Sequence, residues 1–479
     1  MSDADSYQSV LATRYGSPAM ARLWSAAHRT RTWRHLWLAL AQEQRRLGLA
    51  IPEAALEEMR AHLEDADLEQ VRVHERRLRH DVMAHIHAFG EQAPAARPYL
   101  HLGATSAYVT DNADLLVMRD ALQLLLGRLV AVIVALRDFA VRYRALPTVA
   151  YTHFQPAQLT TVGKRAALWL QDFAMDAAAL QELAERLPFR GVKGTTGTQA
   201  SFLELFGGDH AKVVELDRGV AAAFGFRQSL PLTGQTYTRK IDSQILDGLA
   251  GLAQSAAKFA TDLRLLQHEG EVLEPAEAEQ VGSSAMPYKR NPVRAERMCA
   301  LARYLIALRE NAAQTAAAQW LERSLDDSAN RRLSLPEAFL AADAILVLAT
   351  NVAAGLELRE GTLRRNLERV MPFMATERWL MLAVQAGGDR QALHEVIRRH
   401  ARAVAEEVER GRPNDLLDRL ARDASFAGVD AAALARELEP ARYTGRATEQ
   451  VREYVEGPLR ELLARLGGYA PRTEAEVTV

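Results

Sequence analysis

The chain has 479 residues, of which 48% are hydrophobic and 25% charged, which excludes a disordered protein and leaves room for two to four domains or subdomains. Its formal net charge of -2 excludes a global attraction to nucleic acid or to anionic lipid, so any basic site must be local. The longest aliphatic run, residues 129–136, is far shorter than the roughly 20 residues of a membrane span.

The single cysteine and the N-terminal segment indicate where in the cell the protein is expected. Cys299 is the only cysteine, which excludes an intrachain disulfide and any zinc site built on CxxC spacing. The N-terminus, MSDADSYQS, is acidic and polar, unlike a secretory signal. We therefore expect a soluble protein of the cytoplasm, with no membrane and no nucleic acid among its partners.

Helical periodicity runs along almost the whole chain, and no convincing run alternates as a strand would. Short helices are predicted over the first hundred residues and again beyond about residue 360. Between them the pattern predicts five long helices, at about 120–146, 164–187, 242–270, 294–321 and 335–358. We therefore predict an all-α protein of three helical domains, at 1–105, 106–358 and 359–479, with a long-helix bundle in the middle domain.

The predicted helix at 242–270 carries the clearest apolar stripe. Its apolar residues alternate in steps of four and three, the spacing of a coiled-coil seam; they are Ile245, Leu249, Leu252, Ala256, Phe259, Leu263 and Leu266. A helix this long buries its stripe only against partners of similar length. Abundant alanine allows close approach of helices within one subunit or between subunits, so we expect an oligomer.

Four stretches are predicted to be non-helical and to combine turn residues with polar groups. They are RHDVMAHIH from residue 79, HLGATS from 101, YTHFQPAQLTT from 151 and VGSSAMPYKRNPVRAER from 281. Loops of this kind often carry function, although most Gly/Pro/Ser stretches simply connect helices. A fifth loop, GVKGTTGT from 191, lacks the spacing of a nucleotide-binding P-loop, so binding of ATP or NAD has little support.

The histidines do not predict a metal site. His80, His85 and His87 are spaced so that one helix face does not present all three. His153 lies in a Thr-His-x-Gln-Pro turn that is predicted to open a long helix. Taken alone, its position is compatible with either a structural histidine bonded to a carbonyl or a functional one.

The loop sequence GSSAMPYKRNP resembles the signature of the fumarase/aspartase/argininosuccinate lyase superfamily. Thr105-Ser106 and the segment THFQPAQ from 152 match the superfamily's other two landmarks. YKRNP, RLRHDVMAH and KGTTGTQASF are similar to the adenylosuccinate lyase family, especially its eukaryotic-type branch. The likeness extends from about residue 14 to about residue 446.

This resemblance implies an activity, an assembly and the absence of any metal or organic cofactor. The family releases fumarate by β-elimination from adenylosuccinate, giving AMP, and from the succinyl-carboxamide ribotide SAICAR, giving AICAR. The resemblance also implies a homotetramer in which each active site is built from three chains. Two alternatives remain: a sister lyase acting on argininosuccinate or a related fumarate adduct, and a non-catalytic helical scaffold that has kept the fold.

The resemblance further implies roles for the loop residues and two histidines. Ser283 corresponds to the base that removes the carbon-bound proton, with the adjacent Ser284 as the second candidate. Lys289 stabilises the serine alkoxide and, with Asn291, holds the substrate carboxylate. His153 corresponds to the general acid, Glu296 to a carboxylate that pairs with it, and His80 to a second active-site histidine.

The implied substrate, a succinylated purine nucleotide, requires a concentrated cationic pocket. Its two carboxylates and its phosphate approach four negative charges, with about -1.5 to -2 on the phosphate. By the resemblance, the phosphate is held by Arg14, Tyr15, Arg323, Ser328 and Arg332. The remaining nucleotide contacts correspond to Arg79, Asp81 and Arg297, and the contacts with the succinyl end correspond to Thr105, Ser106 and Gln235. For any single arginine the alternative is a solvated helix face.

Overall fold

The computed structural model describes residues 6–277, 279–280 and 284–473 of the chain. The helices of the N-terminal third are α1 Pro18–Leu23, α2 Ala26–Arg46, α3 Glu53–Ala61, α4 Leu68–Leu78, α5 Asp81–Gln92 and α6 Ser106–Arg142. They are followed by α7 Val162–Arg186, α8 Ala200–Leu205, α9 His210–Ala223, α10 Lys240–His268, α11 Val293–Ala317 and α12 Asp326–Ala354. The last third contains α13 Glu360–Met374, α14 Thr376–Gln385, α15 Arg390–Glu409, α16 Leu416–Arg422, α17 Ala431–Arg436, α18 Ala447–Tyr454 and α19 Arg460–Arg465.

The five predicted long helices are confirmed as α6, α7, α10, α11 and α12, which pack on one another as a bundle. The seam of α10 is confirmed as well, because every one of its seven apolar residues is at most 5% exposed. The first long helix begins at Ser106, well before the predicted residue 120, because the segment before 120 is also helical and buried. The predicted all-α class is therefore confirmed, while the three-domain division stays a prediction.

α12 is long and apolar enough to cross a membrane by length and composition alone. However, 83% of its most apolar window is buried within the protein, as expected for the central helix of a bundle. A second, smaller apolar core lies between α14, α15 and α16, around the fully buried Trp379. The chain then returns to the main core, where Val451 of α18 and Leu462 of α19 are buried.

The expectation that the chain contains no strands is wrong in two places. β1 Pro147–Thr152 and β2 Gln155–Thr161 form an antiparallel hairpin, and β3 Val272–Leu273 pairs with β4 Glu357–Leu358. In the hairpin, Val149 and Leu159 face each other across the strands and are both buried. The hairpin escapes pattern analysis because a bulge after Val149 interrupts the alternation and prolines begin β1 and occupy β2.

Candidate functional site

A cleft of about 740 Å³ lies where four helices begin. The residues that cap these helices are His80 for α5, Thr105 for α6, Arg239 for α10 and Leu325 for α12. The first N–H groups of a helix have no partner within it, and the helix dipole favours negative charge there. Four such ends around one cleft make it a site for an anionic ligand.

Half of the predicted site residues line this cleft. They are Arg79, His80, Asp81, Thr105, Ser106, Gln235, Arg323, Ser328 and Arg332. The stretch from residue 79 was expected to be non-helical, which is wrong beyond His80, because α5 begins at Asp81. The hydroxyl of Thr105 makes no capping hydrogen bond, although threonine commonly caps a helix through its side chain. It is therefore available to a ligand.

The backbone before α5 fixes the orientation of His80. Arg79 has a φ of 54°, a left-handed conformation that is rare outside glycine and common at functional sites. The Nδ1 atom of His80 accepts a hydrogen bond from the N–H of Met83 at 3.2 Å. Because this cap occupies Nδ1 as an acceptor, the other ring nitrogen, Nε2, is the one available for proton exchange.

The two cleft arginines expected to hold phosphate are each paired with a carboxylate. Arg323 donates from one nitrogen to both oxygens of Asp327, at 2.9 and 3.1 Å. Arg332 donates to Asp81 at 2.6 Å. Burial alone raises the pKa of Asp81, but the N–H of Val82 and the guanidinium of Arg332 hold it below its ordinary value. These carboxylates position the guanidinium groups and leave their other N–H donors for a ligand.

Behind the cleft lies a buried ionic network that sequence analysis did not detect. Arg239, 3% exposed, donates to both oxygens of Asp111 at 3.2 Å and to Asp327 at 2.7 Å. Burial alone would raise the pKa of Asp111, but the charges of Arg239 and Arg331 hold it below its ordinary value. Because Asp327 also binds Arg323, the network fixes a residue of the cleft wall.

Arg331 anchors the second half of this network. It donates to Asp242 at 2.7 Å and to the hydroxyl of Tyr237 at 2.5 Å, and it pairs with Asp114 at 2.9 Å. Burial raises the pKa of Asp114, although the neighbouring Arg331 opposes that effect. Asp111 and Asp114 are the signal that could have indicated this network, because they are carboxylates on a long helix whose residues are mostly apolar and buried.

His153 occupies the tip of the β1–β2 hairpin. It was expected in a turn that opens a long helix, which is wrong, because β2 intervenes and α7 begins only at Val162. The two residues of the tip, His153 and Phe154, have φ values of 52° and 56°. This geometry belongs to a tight hairpin turn that normally uses Asn and Gly, so a histidine and a phenylalanine are held there at a conformational cost.

The segment between α10 and α11 carries the predicted loop residues. Ser283 lies outside the described residues, whereas Ser284, Lys289 and Asn291 lie on an irregular segment before α11. Ser284 and Lys289 are exposed, and within the described part of the chain the Lys289 ammonium forms no ion pair. The neighbouring Arg290 fastens the segment through two bonds to Glu357, at 2.9 and 3.0 Å.

The remaining predicted residues lie on the first turn of α11 and near the N-terminus. Glu296 is half-exposed and lies 4.0 Å from Arg264; among the described contacts of a single chain it has none with His153. The guanidinium of Arg297 lies 5.6 Å from the ring centre of Tyr15. Arg14 is exposed on the same π-helical turn, Leu11–Tyr15.

The hairpin and the loop are anchored far from the cleft. Gln267, near the last turn of α10, donates to the carbonyl of Arg290, whereas Arg239 begins the same helix at the cleft. The rise of a helix separates these two ends by about 42 Å. The hairpin base is also at the far end, since Thr148 bonds to Glu271, which follows α10. Within one chain, the described residues of the hairpin and the loop are therefore not brought together with those of the cleft.

Two other histidines in the expected motifs are structural. His85 packs against Trp33 at 4.8 Å, and His101 accepts a hydrogen bond at Nδ1 from the Trp37 indole at 2.9 Å. Burial is the main cause that lowers the pKa of each to about 4. His87 stacks on His74. Among the described residues, no group of three or more His, Cys, Asp or Glu side chains is placed to hold a metal ion.

The low pKa values of His85 and His101 predict a loss of stability in mild acid. The folded protein binds these protons only near pH 4, whereas the unfolded chain binds them near the ordinary value of 6.5, so acid favours unfolding. Between pH 7 and pH 5 the free energy of unfolding should fall by about 2 kcal/mol for each histidine. Urea unfolding at fixed protein concentration measures this fall.

His101→Asn provides the test of that pH dependence. Asparagine tolerates the φ of 64° at this position, and its amide oxygen can still accept from Trp37. The variant should lose about half of the expected pH dependence. Replacing the exposed His394 in the same way should leave the dependence intact. An unchanged dependence in His101→Asn would show that His101 does not contribute to it.

Comparisons with known proteins agree with this architecture. A family described as "Lyase" matches residues 22–306, and one described as "Adenylosuccinate lyase C-terminus" matches residues 372–454. The chain is 47% identical to adenylosuccinate lyase of Saccharomyces cerevisiae over 100% of both chains, and 48% identical to that of Schizosaccharomyces pombe over 97% of both. The crystal structure of 3-carboxy-cis,cis-muconate lactonizing enzyme from Pseudomonas putida is similar with a TM-score of 0.81 and 26% identity, over 96% of this chain and 100% of that one. The cleft, the loop motif and these relatives together establish that the chain belongs to the adenylosuccinate lyase family of the lyases.

Proposed function

We propose that this chain, a C–N lyase, releases fumarate from adenylosuccinate to give AMP, and from SAICAR to give AICAR, in purine nucleotide biosynthesis. One observation carries the proposal: in a chain of this family, four helix N-termini and the guanidinium groups of Arg323 and Arg332 surround one cleft. The substrate requires such a local set of N–H and guanidinium donors, because its phosphate and two carboxylates cannot be matched by a protein of net charge -2 as a whole.

Within this proposal the cleft binds the nucleotide, and residues of the β1–β2 hairpin and of the loop before α11 carry out the elimination. Ser283 removes the proton beside the substrate carboxylate, and His153 protonates the departing nitrogen. Lys289 and Asn291 stabilise the negative charge that develops on the carboxylate as the carbanion forms. Lys289 is exposed and its ammonium forms no ion pair with any described residue, and His153 is held at a conformational cost; both observations support these roles.

We further propose that the active enzyme is a homotetramer whose active sites are shared between subunits. The separation of about 42 Å between the cleft and the loop supports this, because another chain must supply the missing half of each site. Apolar side chains exposed on the long bundle helices support it as well. Leu168 and Met175 of α7 are 44% and 64% exposed, and Leu265 of α10 is 40% exposed.

The direct test is an ultraviolet absorbance assay of the purified, fully assembled protein with adenylosuccinate. We expect conversion to AMP with release of fumarate, and the same release from SAICAR. Argininosuccinate serves as the comparison substrate and should not be turned over. Turnover of argininosuccinate in preference to adenylosuccinate would instead identify a sister lyase, and turnover of neither would contradict the proposal.

A mixing experiment tests whether the active sites are shared. Ser283→Ala and His153→Ala proteins should each be inactive alone, and mixing them under conditions of subunit exchange should restore activity. If each site takes these residues from different chains, random exchange restores up to about a quarter of the wild-type rate. Tagged subunits verify that exchange has occurred. No recovery after verified exchange, or an active monomer in sedimentation, would contradict shared sites.

A further inference from the structure

A second cavity, of about 870 Å³, lies apart from the nucleotide-binding cleft. Its walls come from α1, α2, the middle of α6, the end of α7 and the segment after α19. Among the described residues, only Leu23 lines both this cavity and the cleft, so the two linings are otherwise distinct. In the part of the chain that the structure describes, none of the residues predicted to take part in catalysis or substrate binding lines it.

Positive charge dominates the lining of this cavity. Four arginines face two carboxylates there; they are Arg22, Arg31, Arg465, Arg472, Asp120 and Glu185. Arg31 is paired with Glu64, which is outside the lining, and Asp120 is paired with Arg119. Within the described ranges, Arg22, Arg465 and Arg472 form no ion pair with a carboxylate, and all three are exposed to solvent.

The three unpaired arginines come from segments that are fixed in place. Arg22 is in the last turn of α1, and Arg465 ends α19, where its carbonyl accepts from Gln181 of α7 at 3.4 Å. The N–H of Arg472 donates to the carbonyl of Gly127 at 3.1 Å. A Cβ at Gly127 would come within 2.9 Å of the Ala470 carbonyl, so the glycine permits this close packing of the final segment on α6.

We propose that this cavity is a binding site for a polyphosphate anion, meaning a compound that carries at least two linked phosphate groups. A guanidinium presents paired N–H donors whose geometry matches phosphate oxygens. Three guanidinium groups without a carboxylate partner offer more donors than a single phosphate group requires. The volume is in the range of small-molecule sites. Tyr469 and Leu124 add an apolar wall beside the charges, which leaves room for an organic group attached to the phosphates.

The experiment is a calorimetric titration with inorganic pyrophosphate at fixed ionic strength. The wild-type protein should bind at two classes of site, one in the catalytic cleft and one in this cavity. The double variant Arg465→Gln, Arg472→Gln should bind at the second class at least about tenfold more weakly, because each lost arginine removes charge-assisted hydrogen bonds. ATP in place of pyrophosphate then shows whether an attached nucleoside strengthens binding.

Arg460→Gln is the matched control, because Arg460 is exposed on α19, does not line the cavity and loses the same charge. It should retain both classes of site. Arg323→Gln with Arg332→Gln should lose the cleft site alone, so a failure of the proposed function is distinguished from a failure of this inference. If the double variant does not fold, Arg22→Gln replaces it. Wild-type-like binding by the cavity variants, or equal weakening in Arg460→Gln, would overturn the proposal.

Discussion

Replacing Ser283 with alanine is expected to lower kcat by about 10³-fold or more while leaving the affinity for AMP nearly unchanged. The proposed role of its hydroxyl is to remove the carbon-bound proton, a task that acts on the transition state and contributes little to ground-state binding. The nucleotide-binding cleft is built from other segments, at the end of α10 opposite to the bond between Gln267 and Arg290. Single-turnover kinetics with adenylosuccinate and equilibrium binding of AMP separate the two effects.

Ser284→Ala is the control for that experiment. The two serines are adjacent in the loop, so each substitution removes one hydroxyl oxygen from the same segment. Ser284→Ala should retain most of the wild-type kcat. The reverse pattern would assign the proton abstraction to Ser284. A parallel loss of kcat and of AMP affinity in Ser283→Ala would mean that Ser283 shapes the pocket instead.

Sequence patterns predicted the long helices well because the bundle is a regular, local structure. The seam of α10 repeats a single spacing rule over about six turns, and each of its seven residues is buried as that rule requires. The β1–β2 hairpin follows no such repeat, since its strands are short and a bulge shifts their register. Its tip was correctly singled out as a turn, but the side chains of His153 and Phe154 gave no indication of positive φ.

The sequence predicted which motifs form the candidate site, but not how those motifs are arranged in space. The motifs identify Lys289 and His153, yet no pattern in the sequence states that the cleft lies about 42 Å away along α10. Which segments meet at each end of α10 depends on how the helices pack in the bundle. The same limit applies to Arg239 and Asp327, which meet through packing although they are far apart in the chain.

The second large effect is expected from breaking the ion pair between Arg239 and Asp327. Asp327→Ala is expected to destabilise the protein by about 3–5 kcal/mol, because Arg239 remains buried with one of its two carboxylate partners removed. The same substitution frees Arg323 from the oxygens that position it. The KM for adenylosuccinate should therefore rise in whatever fraction of the protein remains folded. Chemical denaturation and steady-state kinetics measure the two effects.

Asp326→Ala is the control that separates the effect of burial from the loss of one negative charge. Asp326 precedes Asp327 on the same turn of α12 but is exposed. Its carboxylate accepts from Ser324 at the surface, so its loss should cost no more than about 0.5 kcal/mol. The Asp327→Asn variant, which keeps the shape and one acceptor oxygen, should fall between the two. Equal denaturation midpoints for Asp326→Ala and Asp327→Ala would show that the buried network does not hold the cleft wall. A loss of stability without a rise in KM would confine its role to folding.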